Sequence, residues 1–470
     1  MADIFVVALL LLAFLPVSAL LSRRALAYLL SPVMSAFAAL IAGLVHVLVD
    51  VSVLVIWAAL VSLQIQLLIH KASRVRMLTS LKIEKSDFSD IASLVSAGAL
   101  GLVALITTPA PLAWDARSIW FHHAAWLNGP AIYFREAQFL PVGSWPDYPI
   151  LGPSLMALSF QITGGDSNLW LASRVIGVLV LLIASLTVTA LVASWNPKLH
   201  FGFVAAATLA FGLVFTVLAD GYYNAGYMDA LQAVSVVALF ASVLSLPTQV
   251  RATGLIVPGV LFVVAANIKQ EGFWFAFGAL LLGLAYQVLK RNYIALSLIV
   301  VAGLTRIGWG AFQEHLKMPD NGHTAEVIER LPLLLVGEPE VLGALELIWT
   351  SWGQPRSSGY LLIAILASSV LLLLWGKQVN WQERVVIPVL LLAAPAGVLL
   401  VAILTYALGQ SGGLEWWLGT SYTRITASFE ALAIFSVAFA AIALGPQWKP
   451  KVIAQAKPES KKSKKKKSRS

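Results

Sequence analysis

Apolar runs of about twenty residues constrain this chain more tightly than anything else in it. Residues 4–21 and 385–408 contain no charged residue at all. A helix needs roughly twenty such residues to cross the ~30 Å hydrocarbon core of a bilayer. The chain is 59% hydrophobic and 12% charged, with a mean hydropathy of +0.83, which no water-soluble core absorbs. In lipid every backbone group must be satisfied internally, so only helices or closed barrels can span. The runs are continuous rather than ten-residue alternations, which excludes barrel strands. The expected fold is therefore an all-α polytopic membrane protein. Spans are expected near 4–21, 29–49, 51–70, 90–108, 168–194, 201–219, 229–246, 254–268, 272–289, 293–311, 359–376, 385–408 and 424–445. That makes about thirteen transmembrane helices.

Orientation follows from the basic residues between the spans. Arg23 and Arg24 follow the first span; Lys71, Arg74, Arg76, Lys82 and Lys85 follow the third. Lys198, Arg251, Lys290, Arg291, Lys377, Arg384 and a Lys-rich C-terminal tail fall on the same side. Of the 32 Lys and Arg, 23 come out inside and 9 outside; of the 23 acids, 5 come out inside and 18 outside. The N-terminus is expected outside and the C-terminus in the cytoplasm. No basic segment precedes the first apolar run and it holds no small-residue cleavage motif, so it reads as a retained helix.

The expected division is a membrane domain over 1–448 and a disordered cytoplasmic tail over 449–470. The tail holds ten Lys and Arg against one acid, Glu459, and so accounts for the formal net charge of +9. Its composition suits anionic lipid on the cytoplasmic leaflet, at about 1 kcal/mol per basic residue. No aromatic residues interleave the basic run, so nucleic acid is not an expected partner. There are no cysteines, which excludes disulfides, thiolate metal sites and Cys nucleophiles.

Three outer segments, 109–167, 312–358 and 409–423, are too long to be plain connectors. The first carries SIWFHHAAWL, a Pro-rich stretch, and SLMALSFQI, which is too short to span. That last piece reads as a helix lying at the interface. Trp114, Trp120, Trp126, Trp145 and Tyr148 suit the headgroup level. The second outer segment contains LPLLLV and ALELIWTSW. Helices of this kind would roof a cavity between the spans.

The charges near the membrane edge gather on one face. Asp115, Arg117, Asp229, Lys269, Glu271 and Arg424 all come out opposite the tail, and a charge at membrane depth marks a functional site by default. Asp115 sits just beyond the fourth span, placed either to cap a helix or to act as a base. His122 and His123 follow; interfacial polar residues are the expected role and no metal centre is expected. In AANIKQEGF only Asn267, Lys269, Gln270 and Glu271 interrupt two apolar runs, so Lys269 reads either as a snorkelling turn residue or as a cation for phosphate. In LADGYYNAGYMDAL, Tyr223, Asn224 and Asp229 carry the chemistry of carbohydrate contact, and equally of an aromatic belt. Arg424, after Tyr422, enters a helix N-terminus against the dipole and wants an anion, as does Arg174 more weakly.

With these residues in this order, the chain resembles the GT-C superfamily of polytopic glycosyltransferases, which holds protein O-mannosyltransferases and aminoarabinose transferases. The resemblance rests on WDARSIW at the start of the first large outer loop, YPILGPSLMALSFQITGG after it, NLWLASRVIGVLVLL opening a span, and the later KQEG and SYTR segments. It covers roughly residues 90–430. It implies transfer of a sugar from a polyprenyl-phosphate donor to a glycan, lipid or protein acceptor on the outer face of the bacterial plasma membrane. On that resemblance Asp115 is the catalytic carboxylate, and Lys269, Arg424, Arg117 and Arg174 hold the donor phosphate. His122, His123, Tyr148, Tyr223, Asn224, Asp229, Glu271 and Tyr422 are then substrate contacts. The family often carries a second acid beside the loop Asp; here Ala116 and Arg117 follow Asp115. That departure implies an inverting, metal-independent transfer without a cofactor. The competing expectations are a transporter or flippase for lipid-linked glycans and a non-catalytic membrane assembly protein.

Overall fold

The computed structural model describes residues 2–84, 87–107, 116–131, 134, 146–164, 169–218, 226–318, 323–352, 357–375, 381–409 and 427–445. These residues form nineteen α-helices with a few short 3₁₀ and π turns, and no strand occurs among them. The first seven helices are α1 (Ala2–Leu12), α2 (Leu15–Leu21), α3 (Ala25–Val49), α4 (Val53–Gln66), α5 (Lys71–Leu81), α6 (Phe88–Thr107) and α7 (Phe121–Asn128). Next come α8 (Leu151–Ile162), α9 (Leu169–Trp195), α10 (Phe201–Leu218), α11 (Asp229–Leu244), α12 (Ile256–Ala266), α13 (Gly272–Leu289) and α14 (Leu298–His315). The last are α15 (His323–Val336), α16 (Pro339–Trp352), α17 (Ser357–Trp375), α18 (Trp381–Gly409) and α19 (Ala427–Leu444).

Eight stretches are long and apolar enough to cross a membrane: Ile4–Leu21, Ala25–Val49, Phe88–Thr107, Leu169–Trp195, Gly272–Leu289, Tyr293–His315, Val385–Leu408 and Ala427–Leu444. A ninth results if Val53–Ile69 and Lys71–Leu81 count as one bent span. This makes the chain a multi-pass membrane protein. The other expected spans fall on shorter apolar helical stretches: Phe201–Leu213, Asp229–Leu244, Ala252–Ala266 and Ile363–Leu374.

The middle of the bundle is built by helices that are apolar all round, as a fully surrounded helix must be. In α11 nearly every residue is buried, and α9 and α19 are close to that. α11 packs on α9, α12, α13 and α19. α6 and α10 flank α9; α17 and α18 close over α19. Phe240 of α11 meets Phe435 of α19 edge to face, with centroids 5.6 Å apart. α15 and α16, joined through Gly337 with φ +73°, pack on α18.

Two breaks shape the periphery. The first span is two helices: Pro16 removes a backbone donor and the ladder opens between Ala13 and Val17. The Gln64 side chain of α4 closes the gap. Its amide donates to the Ala13 carbonyl, and its Oε1 accepts from the Val17 amide at 3.2 Å. A freed backbone group in lipid needs such a partner. The second break follows Ile69, where the chain turns by 104° into α5.

One end of the bundle is layered. Gln161, at the end of α8, accepts from Ser52 Oγ at 2.9 Å and from the Leu54 amide at 2.7 Å. The same side chain donates to the Leu127 carbonyl of α7 at 3.3 Å. One amide thus ties α8 to the start of α4 and the end of α7. Asp50, at the end of α3, accepts from the Ala131 amide at 2.9 Å. α8, expected to lie at the interface, has Leu151 to Phe160 all buried against other helices. Trp120 and Trp126, expected at the headgroup level, are likewise covered by protein.

Candidate functional site

The layered end also holds the turn between α12 and α13. α12 and the preceding turn Ala252–Leu255 together hold fifteen residues. At the rises of 3₁₀ and α-helices that is about 24 Å, less than the ~30 Å apolar slab. A run of that length starting at one boundary ends short of the other. Within the turn 267–271, Ile268 is fully covered, Asn267 and Lys269 are each only 6% exposed, and Gln270 and Glu271 are half-buried. Its backbone is closed by the Gly272 amide on the Lys269 carbonyl at 3.0 Å. A Cβ at Gly272 would stand 2.5 Å from the Ala265 carbonyl oxygen, so no larger residue fits the unshifted turn. The Leu151 amide donates to the Asn267 carbonyl at 3.4 Å, fixing α8 against it.

Lys269 sits between two carboxylates. Its Nζ lies 2.7 Å from Asp229 Oδ1 and 3.1 Å from Glu271 Oε1. Asp229 opens α11 and is itself buried. A buried ammonium is tolerated when its charge is paired in this way. A third acid adjoins the turn: Asp147 is 2% exposed, and its carboxylate accepts from the Gln270 side chain. Gln313, near the end of α14, donates to the Asp147 backbone carbonyl at 3.1 Å. Gln232, one turn into α11, is also buried, and its Oε1 has no hydrogen-bond partner among the described residues. Its amide carbon is 3.5 Å from where a Gly272 Cβ would stand, which places it beside the turn.

Aromatic residues wall this end. Trp120 and Tyr148 meet edge to face at 5.5 Å. Gly226, with φ +82°, lets the chain pass against Phe121 and Ala116 just before α11. Met228 packs against Gly152, whose missing Cβ leaves the space. The two histidines separate. His122 is exposed and His123 fully buried; both touch Trp126, with centroids 4.7 and 4.8 Å away. Among the described residues no group of three or more His, Asp or Glu is placed to share a metal ion.

The structure therefore brings together Lys269, Asp229 and Glu271, and sets Tyr148 on the neighbouring aromatic wall. Arg174 lies half-buried in the second turn of α9. Asp115, Tyr223, Asn224, Tyr422 and Arg424 lie outside the described residues, and of Arg117 only the backbone, in a π-turn, is described. Sequence reasoning missed Asp147, which meets Gln270, and Gln232, which lies beside the turn. Asp147 lies between Pro146 and Tyr148 in a Pro-rich stretch, where nothing local signals burial. It also missed Glu430, 6% exposed in the first turn of α19. An acid inside the last apolar run was the available signal.

An ammonium held by carboxylates can bind an anionic oxygen, and carboxylates with an amide accept and donate to hydroxyls. The arrangement suits a ligand that carries both. Comparison with protein-family models, curated proteins and solved structures gives no match.

Proposed function

We propose that the chain is a membrane glycosyltransferase of the GT-C type. In this reading all thirteen apolar stretches traverse or enter the membrane, with the N-terminus outside and the layered end facing outward. The donor is a polyprenyl-phosphate sugar and the acceptor an outer-face glycan, lipid or protein. The single observation that carries the reading is Lys269, buried between Asp229 and Glu271 under the short helices α7 and α8. Lys269 meets the donor phosphate together with Arg424, Arg117 and Arg174. Asp229, Glu271, Gln232 and Tyr148 contact sugar hydroxyls.

In the proposed step the acceptor hydroxyl oxygen attacks the anomeric carbon from the face opposite the phosphate. The carbon–oxygen bond to phosphate breaks, and polyprenyl phosphate leaves with the electron pair. The hydroxyl proton passes to the Asp115 carboxylate. Basic residues offset the charge growing on the leaving phosphate.

The test uses the purified full chain in liposomes with a panel of polyprenyl-phosphate sugars. One member should release polyprenyl phosphate in an acceptor-dependent manner. Asp115→Asn keeps the size and capping ability of the residue but removes the base, and should slow release by about 10²–10⁴-fold. Equal release by well-folded Asp115→Asn protein would remove Asp115 from the chemistry. No release from any donor, together with no binding of polyprenyl phosphate, would overturn the transferase reading.

A further inference from the structure

At the opposite end of α3 a second cavity of about 420 Å³ opens between the α2–α3 turn, the end of α5 and the loop into α6. With 25 residues in α3 at 1.5 Å each, it lies about 36 Å from the Lys269 end. The cavity is lined by Arg23, Arg24, Arg76, Thr79, Ser80, Lys82, Glu84 and Asp87. Four of these are basic and two acidic.

The ion pairs sort the basic residues into two kinds. Arg24 lies 3.0 Å from Asp87 and 3.7 Å from Asp90. Its backbone, at φ +52°, is pinned by its amide on the Ser80 carbonyl at 2.6 Å. Lys82 pairs with Glu84 at 3.1 Å. These contacts hold the walls. Among the described residues Arg23 and Arg76 have no ion-pair or hydrogen-bond partner, and both are exposed at the cavity. Two unpaired guanidiniums on a preformed concavity are the donor set for a phosphate group, which guanidinium binds in a planar fork.

The surroundings say where that phosphate comes from. α5 stands at 104° to α4, so it runs across the bundle end rather than along the spans. Ile69, Val75 and Leu78 are 76%, 54% and 58% exposed on and beside it. A short helix with exposed apolar side chains next to basic ones lies at the boundary of headgroups and acyl chains.

We propose that this cavity is a binding site for the phosphate headgroup of an anionic glycerophospholipid, held by Arg23 and Arg76. The site uses none of the basic residues of the tail, lies away from the layered end, and does not depend on the proposed transferase activity.

Native mass spectrometry of the full chain, titrated with phosphatidylglycerol and with phosphatidylcholine, tests this. Arg23→Gln with Arg76→Gln should weaken the tightest phosphatidylglycerol adduct by at least about 10-fold and leave phosphatidylcholine unchanged. Lys71→Gln with Arg74→Gln removes the same charge from the same region of α5 outside the cavity, and should shift binding less than about twofold. Arg76→Gln alone should give an intermediate loss, which keeps the test valid if the double variant folds poorly. Equal losses in the two double variants would mean only general attraction of basic charge to the membrane surface, and would overturn the site. Displacement of the lipid by millimolar inorganic phosphate would assign the cavity to free phosphate and overturn the lipid assignment.

Discussion

Lys269 is the residue on which the candidate site turns, and its energetics can be tested without knowing the ligand. Its ammonium and the carboxylates of Asp229 and Glu271 are mutually compensating; removing one partner leaves uncompensated buried charge. Truncating one member of a buried pair costs about 3–5 kcal/mol. Lys269→Met should therefore lower the melting temperature of the purified protein strongly. Adding Asp229→Asn and Glu271→Gln should recover most of that loss, because the two carboxylates that Lys269 offsets are then neutral. A triple variant as unstable as the single one would show that packing, not charge, fixes Lys269.

At the scale of elements, stability rests on side chains that mend broken helices and on turns that only small residues fit. Gln64 replaces ladder bonds lost between Ala13 and Val17. Gln64→Leu should leave those groups unsatisfied and cost about 1–3 kcal/mol. Pro16→Ala restores a backbone donor, so it should partly rescue Gln64→Leu in hydrogen-exchange protection of residues 13–18. An unchanged exchange pattern in Gln64→Leu would show the break to be self-satisfied. In the α12–α13 turn, Gly272→Ala pushes a methyl group against the Ala265 carbonyl. It should lower the melting temperature and weaken polyprenyl phosphate binding together. Gly278→Ala in the same helix meets nothing within 4 Å and should be neutral or slightly stabilising. If both variants behave alike, the tight turn is not what holds Lys269 in place.

The whole molecule has two ends of different character. One is layered by α7 and α8 over an acidic, lysine-centred cluster; the other carries α5 and the basic cavity. The absence of cysteine gives a clean background for topology mapping. Ala125→Cys, exposed on α7, should react with a membrane-impermeant maleimide in intact cells. Ala72→Cys on α5 and Ser463→Cys in the tail should react only after permeabilisation. Labelling of positions 125 and 463 from the same side would overturn the proposed orientation.

Hydropathy alone determined that the chain is all-helical and crosses a membrane, because a backbone in lipid has almost no other way to satisfy its hydrogen bonds. The thirteen apolar runs all fall on helices for that reason. Apolar length did not say which helices face lipid. In α11 and α8 the apolar residues face other protein, and burial in protein and burial in lipid select the same side chains. Charge placement marked Asp229, Lys269 and Glu271 individually, since charge is rare and costly at membrane depth. Only the tertiary structure joined Asp229 to Lys269, forty positions apart, and brought in Asp147 from a third segment. The reason is physical: local sequence sets the cost of burying a charge, but the partner that offsets it is chosen by which helices pack together.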